Sequence, residues 1–190
     1  TGQFHLEDAD IDAPEAWDVE TGDSTIIIGI IDTGVDWGHP DLADKMVSTG
    51  YDFVNNDNDA MDDNGHGTHV AGIAAATTNN TTGIAGVAWN CKILPVKVLQ
   101  SNGTGSYSDI AAGVTFAADN GAKVINLSHG GYAESYTLRI ALENAYTSAV
   151  IVASAGNDGT SAPHYPAAWS FVIGVGASGV FYDQQTQTWY

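Results

Sequence analysis

Two side chains capable of proton transfer, Asp32 and His66, lie next to apolar stretches of the sequence. Asp32 directly follows the apolar run 26–31, and His66 lies between two glycines just before an apolar stretch. A buried carboxylate that accepts a hydrogen bond from one imidazole nitrogen fixes the tautomer, and it stabilises the imidazolium formed when the other nitrogen takes a proton. Read singly, Asp32 could form a turn and His66 could be an ordinary surface residue. Together they predict general acid–base catalysis, provided that the fold places them side by side.

A third polar group, the side-chain amide of Asn157, follows the apolar run 150–153. A fixed amide N–H suits a developing oxyanion, and such a donor can lower a reaction barrier by ~3 kcal/mol. Taken alone, Asn157 could equally be a turn residue.

Predicted strands and helices alternate along the chain, and these elements must position the polar residues. Continuous apolar runs predict strands buried on both faces, at residues 25–32, 92–98, 124–127, 150–154 and 172–176. Helices are predicted after His66, over about 108–120 and over about 135–147. This alternation predicts an α/β fold with three α/β/α layers, a mainly parallel central sheet and one domain over residues 1–190. Ligands bind at the carboxyl ends of such strands, where Asp32, Ser128 and Asn157 are all expected.

The composition limits the classes of molecule that this chain is expected to bind. The 190 residues carry 23 acidic and 5 basic side chains, a formal charge of -18. We therefore expect neither nucleic-acid nor membrane-surface binding, whereas hard cations with oxygen ligands suit this charge. No apolar run approaches the ~20 residues of a membrane span. The single cysteine, Cys91, excludes an internal disulfide and is expected to be buried.

Four segments resemble the successive signatures of the subtilisin family of serine peptidases. They are IDTGVD at 31–36, HGTHVAG at 66–72, NLSHGG at 126–131 and SAGN at 154–157, in that family's order. The resemblance covers nearly the whole chain. It implies that Asp32 orients His66, that His66 is the general base and acid, and that Asn157 lines the oxyanion hole.

The same resemblance implies an extended peptide substrate that pairs with the chain as an added strand. The residues implied in substrate binding are Ser128, His129, Gly130, Gly105, Tyr107, Ser154, Ala155 and Gly156, the last three as a wall of the pocket for the residue before the cut. His129 departs from the family, whose members usually carry an apolar residue there. A histidine could narrow the pocket, add pH dependence or point elsewhere.

The nucleophile of the family is missing from this sequence. Its Gly-Thr-Ser-Met-Ala motif opens a long helix well after the oxyanion asparagine, and no such motif occurs here. Ser161, in GTSAP at 159–163, is a poor substitute, because Pro163 and Pro166 would break a helix built on it. We therefore expect a partial peptidase domain, the N-terminal two-thirds, inactive by itself.

Two calcium sites are predicted. The acidic stretch 52–63 offers a cluster of oxygen ligands, namely Asp52, Asp57, Asp59 and the carbonyl of Met61. A solvated acidic loop is the alternative, although several members of the family bind calcium here. For the second site the resemblance implies Asp41, Asn80 and the carbonyls of Thr78, Thr82 and Ile84.

Together, these expectations describe a secreted serine endopeptidase that acts on polypeptides and binds Ca²⁺. A complementary C-terminal fragment or a propeptide is the further partner expected. The leading alternative is a calcium-stabilised peptide-binding module without catalytic activity. A zinc hydrolase using His66 and His69 is more remote, because no glutamate lies between these histidines as in the usual zinc motif.

Overall fold

Six parallel strands form the central sheet of the computed structural model, which describes residues 11–177, 182–183 and 188–189. The strands are β1 (Ile27–Asp32), β2 (Tyr51–Asp52), β3 (Lys92–Lys97), β4 (Val124–Leu127), β5 (Val150–Ser154) and β6 (Ile173–Val175). Their order across the sheet is β2-β3-β1-β4-β5-β6. A separate antiparallel pair consists of β7 (Tyr182–Asp183) and β8 (Thr188–Trp189).

Four helices accompany these strands in the described part of the chain. They are α1 (Ala13–Trp17), α2 (His66–Ala75), α3 (Tyr107–Asp119) and α4 (Tyr136–Ala145), and a 3-10 turn covers Ala43–Lys45. Two helices begin with serine caps: Ser106 accepts a hydrogen bond from the amide of Asp109, and Ser135 accepts one from that of Leu138. Such caps satisfy amides that have no partner within the helix. None of the described helices is both long and apolar enough to cross a membrane.

The two faces of the sheet contact different helices. Strand residues such as Ile125 and Leu127 belong to a large core cluster with α3 and α4. On the opposite face, Ile28, Ile30 and Ile93 cluster with buried alanines of α2. Because successive side chains of a strand point to opposite faces, strands covered on both sides must be apolar at nearly every position.

The register places Asp32 at the carboxyl edge of the sheet. β1 pairs with β3 so that Asp32 lies opposite Lys97, and it pairs with β4 on its other side. β4 in turn pairs with β5, and Leu127 lies opposite Ala153. The segments that follow β1, β4 and β5 therefore leave the sheet at one edge, as predicted for a parallel sheet.

The predicted α/β architecture is confirmed. All five predicted strands and all three predicted helices are present, with ends that differ by at most two residues. Sequence analysis did not predict β2, β7, β8 or α1, which are too short to show a periodic pattern. Cys91 is buried and unpaired, as expected.

Candidate active site

Asp32 and His66 are in direct contact. His66 Nδ1 lies 2.7 Å from Asp32 Oδ1, and the Asp32 side chain is fully buried while that of His66 is 46% exposed. An ionised carboxylate can only accept a hydrogen bond, so Nδ1 carries the proton and Nε2 is the basic nitrogen. Among the described residues, no hydroxyl group hydrogen-bonds to Nε2. The exposed imidazole is therefore free to take a proton from a group that approaches it.

Glycine allows α2 to approach the end of β1. A β-carbon at Gly67 would overlap the backbone carbonyl oxygen of Gly34 and would lie 3.1 Å from Asp32 Cβ. The Gly67 amide also donates a hydrogen bond to Thr33 Oγ1, 3.0 Å away. A larger side chain here would push the helix, and with it His66, away from Asp32.

Asp62 joins the segment that follows Asp32 to the first turn of the helix that carries His66. Its Oδ1 accepts hydrogen bonds from Thr33 Oγ1 and the amides of Asn64 and Gly65, and its Oδ2 accepts from the amide and hydroxyl of Thr68. Burial raises the pKa of this carboxyl group, but the hydrogen bonds from Thr68, Gly65 and Asn64 outweigh it and lower the pKa to about 2. The carboxylate thus ties the residue after Asp32 to the first turn of the His66 helix.

Lys97 is almost completely buried beneath this network, with 1% of its surface exposed. Its ammonium group donates to the carbonyls of Thr33 and Leu99, at 2.7 and 3.0 Å, and to Asp63 Oδ1 at 2.6 Å. A buried ammonium group needs such partners to remain charged. Sequence analysis did not single out Lys97 or Asp62.

His129 lies beside the same strand end. Its Nε2 is 3.0 Å from the carbonyl oxygen of Ile31, the residue before Asp32, so Nε2 donates. Burial lowers the pKa of His129, a direction reinforced by His66 and His164, whereas Asp32 and the bond to Ile31 act in the opposite sense. The net lowering keeps His129 neutral at neutral pH.

Four of the predicted substrate-binding residues line one pocket of about 300 Å³. Gly105, Tyr107, His129 and Gly130 contribute to it, and Leu99 and Leu138 are among its apolar residues. The Tyr107 hydroxyl donates to the carbonyl of Ala133, which holds the ring in place. The pocket can therefore receive an apolar side chain, and His129 connects it to the end of β1 through the hydrogen bond to Ile31.

The other predicted residues follow β4 and β5. Ser128 is half-buried, and its Oγ accepts a hydrogen bond from Asn126 Nδ2. Ser154 ends β5, and Ala155, Gly156 and Asn157 are exposed in the loop that follows. This loop leaves the sheet at the edge where Asp32 lies, so the Asn157 amide is available to a ligand at that edge.

The comparisons with known proteins agree with this geometry. The model of the subtilase family of peptidases matches residues 23–187. The chain belongs to the subtilase family.

Two relatives of this subtilase chain are the thermophilic serine proteinase of Bacillus sp. (strain AK1) and thermitase of Thermoactinomyces vulgaris. The first is 56% identical over 163 residues, which are 85% of this chain and 40% of the relative. Thermitase is 52% identical over 169 residues, which are 88% of this chain and 60% of the relative. A halolysin-like extracellular serine protease of Natrialba magadii is 41% identical over 168 residues, 84% of this chain and 31% of its own length. The subtilase chain thus spans about half the length of its first two relatives.

One predicted calcium site of the subtilase chain has suitable oxygen donors. Asp41 is 2% exposed and forms no ion pair with a described residue. Its carboxylate accepts hydrogen bonds from Asn80 Nδ2 and the Ile84 amide. The carbonyls of Thr78, Thr82 and Ile84 accept none within the described ranges. The buried Asp41 carboxylate has no cationic partner among the described residues, which fits the preferences of Ca²⁺, while Asn80 Oδ1 already accepts a hydrogen bond from the Thr82 amide.

The three aspartates predicted as calcium ligands in the stretch 52–63 accept hydrogen bonds from nearby backbone amides. Asp52 accepts from the amides of Val54 and Asn55 and from the Asn55 side chain, while Asp57 Oδ1 accepts from the Asp59 amide. Asp59 Oδ1 in turn accepts from the amide of Met61. Where residues are described, no three carboxylate, histidine or cysteine side chains form a group able to hold a metal. Calcium at Asp52, Asp57, Asp59 and Met61 therefore stays a prediction.

His66 and His69 do not form a zinc centre with a third described side chain of these types, and Nδ1 of His66 already contacts Asp32. Ser161 is exposed in irregular chain rather than at the start of a helix.

Sequence analysis also missed His164. Its ring lies between Gly130 and Gly156, which belong to the two segments predicted to flank a substrate side chain. In the sequence His164 lies seven residues after Asn157, and this spacing does not predict a contact with either glycine.

Proposed function

We propose that this chain forms the Asp- and His-bearing part of a serine endopeptidase. The observation that carries the proposal is the 2.7 Å contact between Asp32 Oδ1 and His66 Nδ1 in a chain of the subtilase family. Buried Asp32 fixes the imidazole and stabilises its protonated form, and the exposed Nε2 faces the reacting groups.

In the proposed reaction, a serine hydroxyl supplied by another part of the complete protein loses its proton to His66 Nε2. Its oxygen forms a bond to the peptide carbonyl carbon, and the carbonyl electrons move to the oxygen, which the Asn157 amide stabilises. When the carbon–nitrogen bond breaks, His66 returns the proton to the leaving amine. Water then attacks the acyl group by the same proton transfers and releases the acid.

The proposed substrate is an extended polypeptide. The pocket lined by Gly105, Tyr107, His129 and Gly130 supports this, because it lies beside the strand end that carries Asp32. Exposed backbone next to such a pocket lets a peptide add as a strand while the pocket selects side chains.

A complementary segment of the same protein is the proposed source of the serine. On the α2 side of the sheet, Val150, Ile173 and Val175 are exposed, and Ile28, Val70 and Val152 help line a groove of about 370 Å³. Apolar surface of this kind is usually covered in the functional protein. The groove continues to Ser128, at the edge of the sheet where a nucleophile would be needed.

We also propose that Ca²⁺ binds at Asp41 and that the complete protein acts outside the cell. The buried carboxylate supports the calcium site. The extracellular relative from Natrialba magadii supports the location, and fractionation of the producing cells into medium and lysate tests it.

The decisive experiment uses the complete protein with an organophosphorus serine reagent and a protein substrate. We expect covalent labelling and peptide-bond cleavage, both abolished by His66→Ala. Peptide binding without labelling or cleavage would instead support the alternative of a calcium-stabilised binding module without catalytic activity.

A further inference from the structure

The ladder of paired residues between β1 and β4 ends before it reaches Asp32. On the β3 side of β1, the pairs continue to Asp32 and Lys97, whereas on the β4 side the last pair is Ile30 and Asn126. The strand end that carries Asp32 is therefore held by the ladder on its β3 side. On its other side, the segment that follows β4 has to supply the support.

The side chain of His129 supplies such a support. His129 lies three residues after Asn126, and its Nε2 donates to the carbonyl oxygen of Ile31, 3.0 Å away. This carbonyl belongs to the peptide group that joins Ile31 to Asp32. Ile31 is fully buried, so the bond forms away from water, where a hydrogen bond is electrostatically stronger. The imidazole thus fixes the peptide group directly before Asp32.

The orientation of this peptide group decides where the Asp32 carboxylate points. Asp32 Oδ1 accepts from both the Thr33 amide and His66 Nδ1, each at 2.7 Å. Asp32 Oδ2 is buried and has no hydrogen-bond partner in the part of the chain that the structure describes. The carboxylate is therefore held at one oxygen, and the backbone on its two sides sets the direction of the side chain.

Three titratable groups act on the His129 ring from the elements around it. Asp32 at the end of β1 favours protonation of the ring, whereas His66 on α2 and His164 in the loop after β5 oppose it, as does burial. The net effect lowers the pKa of His129, so the ring is neutral near pH 7 and carries its proton on Nε2, the nitrogen that donates to Ile31. A neutral donor holds the strand end without adding a positive charge that would oppose protonation of His66.

We propose that His129 is a positioning residue, which holds the peptide group before Asp32 and so keeps the Asp32 carboxylate in contact with His66. This inference rests on the proposed function, in which that contact stabilises the imidazolium formed during proton transfer. Without the donor, the strand end loses a constraint and the contact lengthens. An apolar side chain cannot form this bond, whereas glutamine places an amide N–H about as far from the backbone as Nε2 of histidine.

The experiment compares His129→Leu with His129→Gln in the complete protein. NMR follows the proton that His66 Nδ1 donates to Asp32, because a proton in a short, charge-assisted hydrogen bond resonates at low field. We expect His129→Leu to move this resonance upfield and to lower kcat on a peptide substrate by about 10–100-fold, as is typical when a catalytic group is displaced. His129→Gln should keep the resonance and recover most of the rate. His69→Leu, the same substitution at an exposed histidine of α2, is the matched control and should change neither.

Melting temperatures identify the folded variants. His129→Ala, which removes the donor without adding a branched side chain, replaces His129→Leu if that variant is unfolded. A resonance and a kcat that both stay unchanged without the imidazole would overturn the assignment. A rise in KM alone would also overturn it, because His129 would then act only on bound substrate, through the pocket that it lines.

Two further results separate the hydrogen bond from the proposed function. The same loss in His129→Gln as in His129→Leu would exclude the bond to Ile31 as the cause, and with it the positioning role. A complete protein that cleaves neither peptides nor proteins would contradict the proposed function, while the His66 resonance would still decide whether His129 positions Asp32.

Discussion

Lys97 Nζ lies 2.7 Å from the backbone carbonyl oxygen of Thr33, so a buried cation holds the residue that follows Asp32. The same ammonium group binds Asp63, three residues before His66. The end of β1, the end of β3 and the loop before α2 therefore meet at one charged group. Loss of this group would affect the catalytic geometry as well as stability.

Lys97→Met tests the structural part of this claim. The substitution leaves the carbonyls of Thr33 and Leu99 without their buried donor, and each such loss costs roughly 1–3 kcal/mol. We expect the free energy of unfolding to fall by about 3 kcal/mol in urea denaturation. Lys123→Met, which changes an exposed lysine, is the control and should stay within about 0.5 kcal/mol. Equal effects of the two substitutions would contradict the role of Lys97.

Asp62→Asn tests the connection between Thr33 and the His66 helix. The pKa of Asp62 is lowered to about 2, so its ionised form stabilises the fold above about pH 4. That contribution is lost as the pH falls from about 4 to about 2. Since the carboxylate is only partly buried, we expect about 1–2 kcal/mol at neutral pH after allowance for solvent screening. The difference between the two proteins should therefore shrink in acid.

A second measurement on Asp62→Asn separates positioning from stability. The imidazole resonances of His66 should shift in NMR spectra, because the first turn of α2 loses its anchor to Thr33. Asp18→Asn, an exposed change in a different part of the chain, should leave them unchanged. His66 resonances unaffected by Asp62→Asn would show that Asp62 stabilises the fold without positioning the imidazole.

The sequence predicts the sheet well because burial on both faces leaves a strong pattern. The runs 26–31 and 150–153 are apolar at almost every position, and few structures other than buried strands require this. The expectation that Asp32 and His66 meet follows from the same pattern, since both lie where a strand ends or a helix begins. Short elements such as β2 have no comparable signal, because two residues show no periodicity.

The remaining features depend on register and on close approach of the backbone. Lys97 lies between two valines, and from the sequence alone its side chain could have pointed to solvent. The pairing of β3 with β1 places its ammonium group beneath Thr33. His164 is separated from Gly130 by 34 positions, so their contact arises from packing alone. A sequence specifies such contacts through the whole fold rather than through a local pattern.

His129→Leu tests the effect of a half-buried neutral histidine. Burial lowers the pKa of His129 in the folded protein, so the unfolded chain takes up a proton first as the pH falls. The contribution of His129 to stability is therefore complete above its ordinary pKa of about 6.5 and is lost as the pH falls toward its folded value. Between pH 7 and pH 5, the melting temperature of the unchanged protein should fall more than that of the variant.

His69→Ala is the control for this pH series, because His69 is exposed on α2. Its pH dependence should match that of the unchanged protein in calorimetry. A His129→Leu variant with the same pH dependence as the unchanged protein would contradict the lowered pKa of His129.

Calcium should raise the melting temperature of the chain through Asp41. A ligand that binds only the folded state at 100 times its dissociation constant adds about 2.7 kcal/mol to the free energy of unfolding. We expect excess chelator to reverse this increase and Asp41→Asn to remove it. Asp44→Asn, three residues further along and exposed, should keep the response. A melting temperature indifferent to both calcium and chelator would rule out a structural calcium site at Asp41.

His66→Ala and Ser161→Ala should have opposite outcomes in the complete protein. Removal of His66 takes away the base that contacts Asp32, and kcat should fall by about 10⁴-fold or more, as is typical when a triad histidine is lost. Ser161 lies in irregular, exposed chain, so its substitution should preserve most of the activity. Ser161→Ala should keep the melting temperature of the unchanged protein to within a few degrees, whereas His66→Ala should lower it, because the fully buried Asp32 carboxylate loses its imidazole partner. If Ser161→Ala also abolished cleavage and labelling by the serine reagent, Ser161 itself would be the nucleophile, and no second segment would be required to supply one.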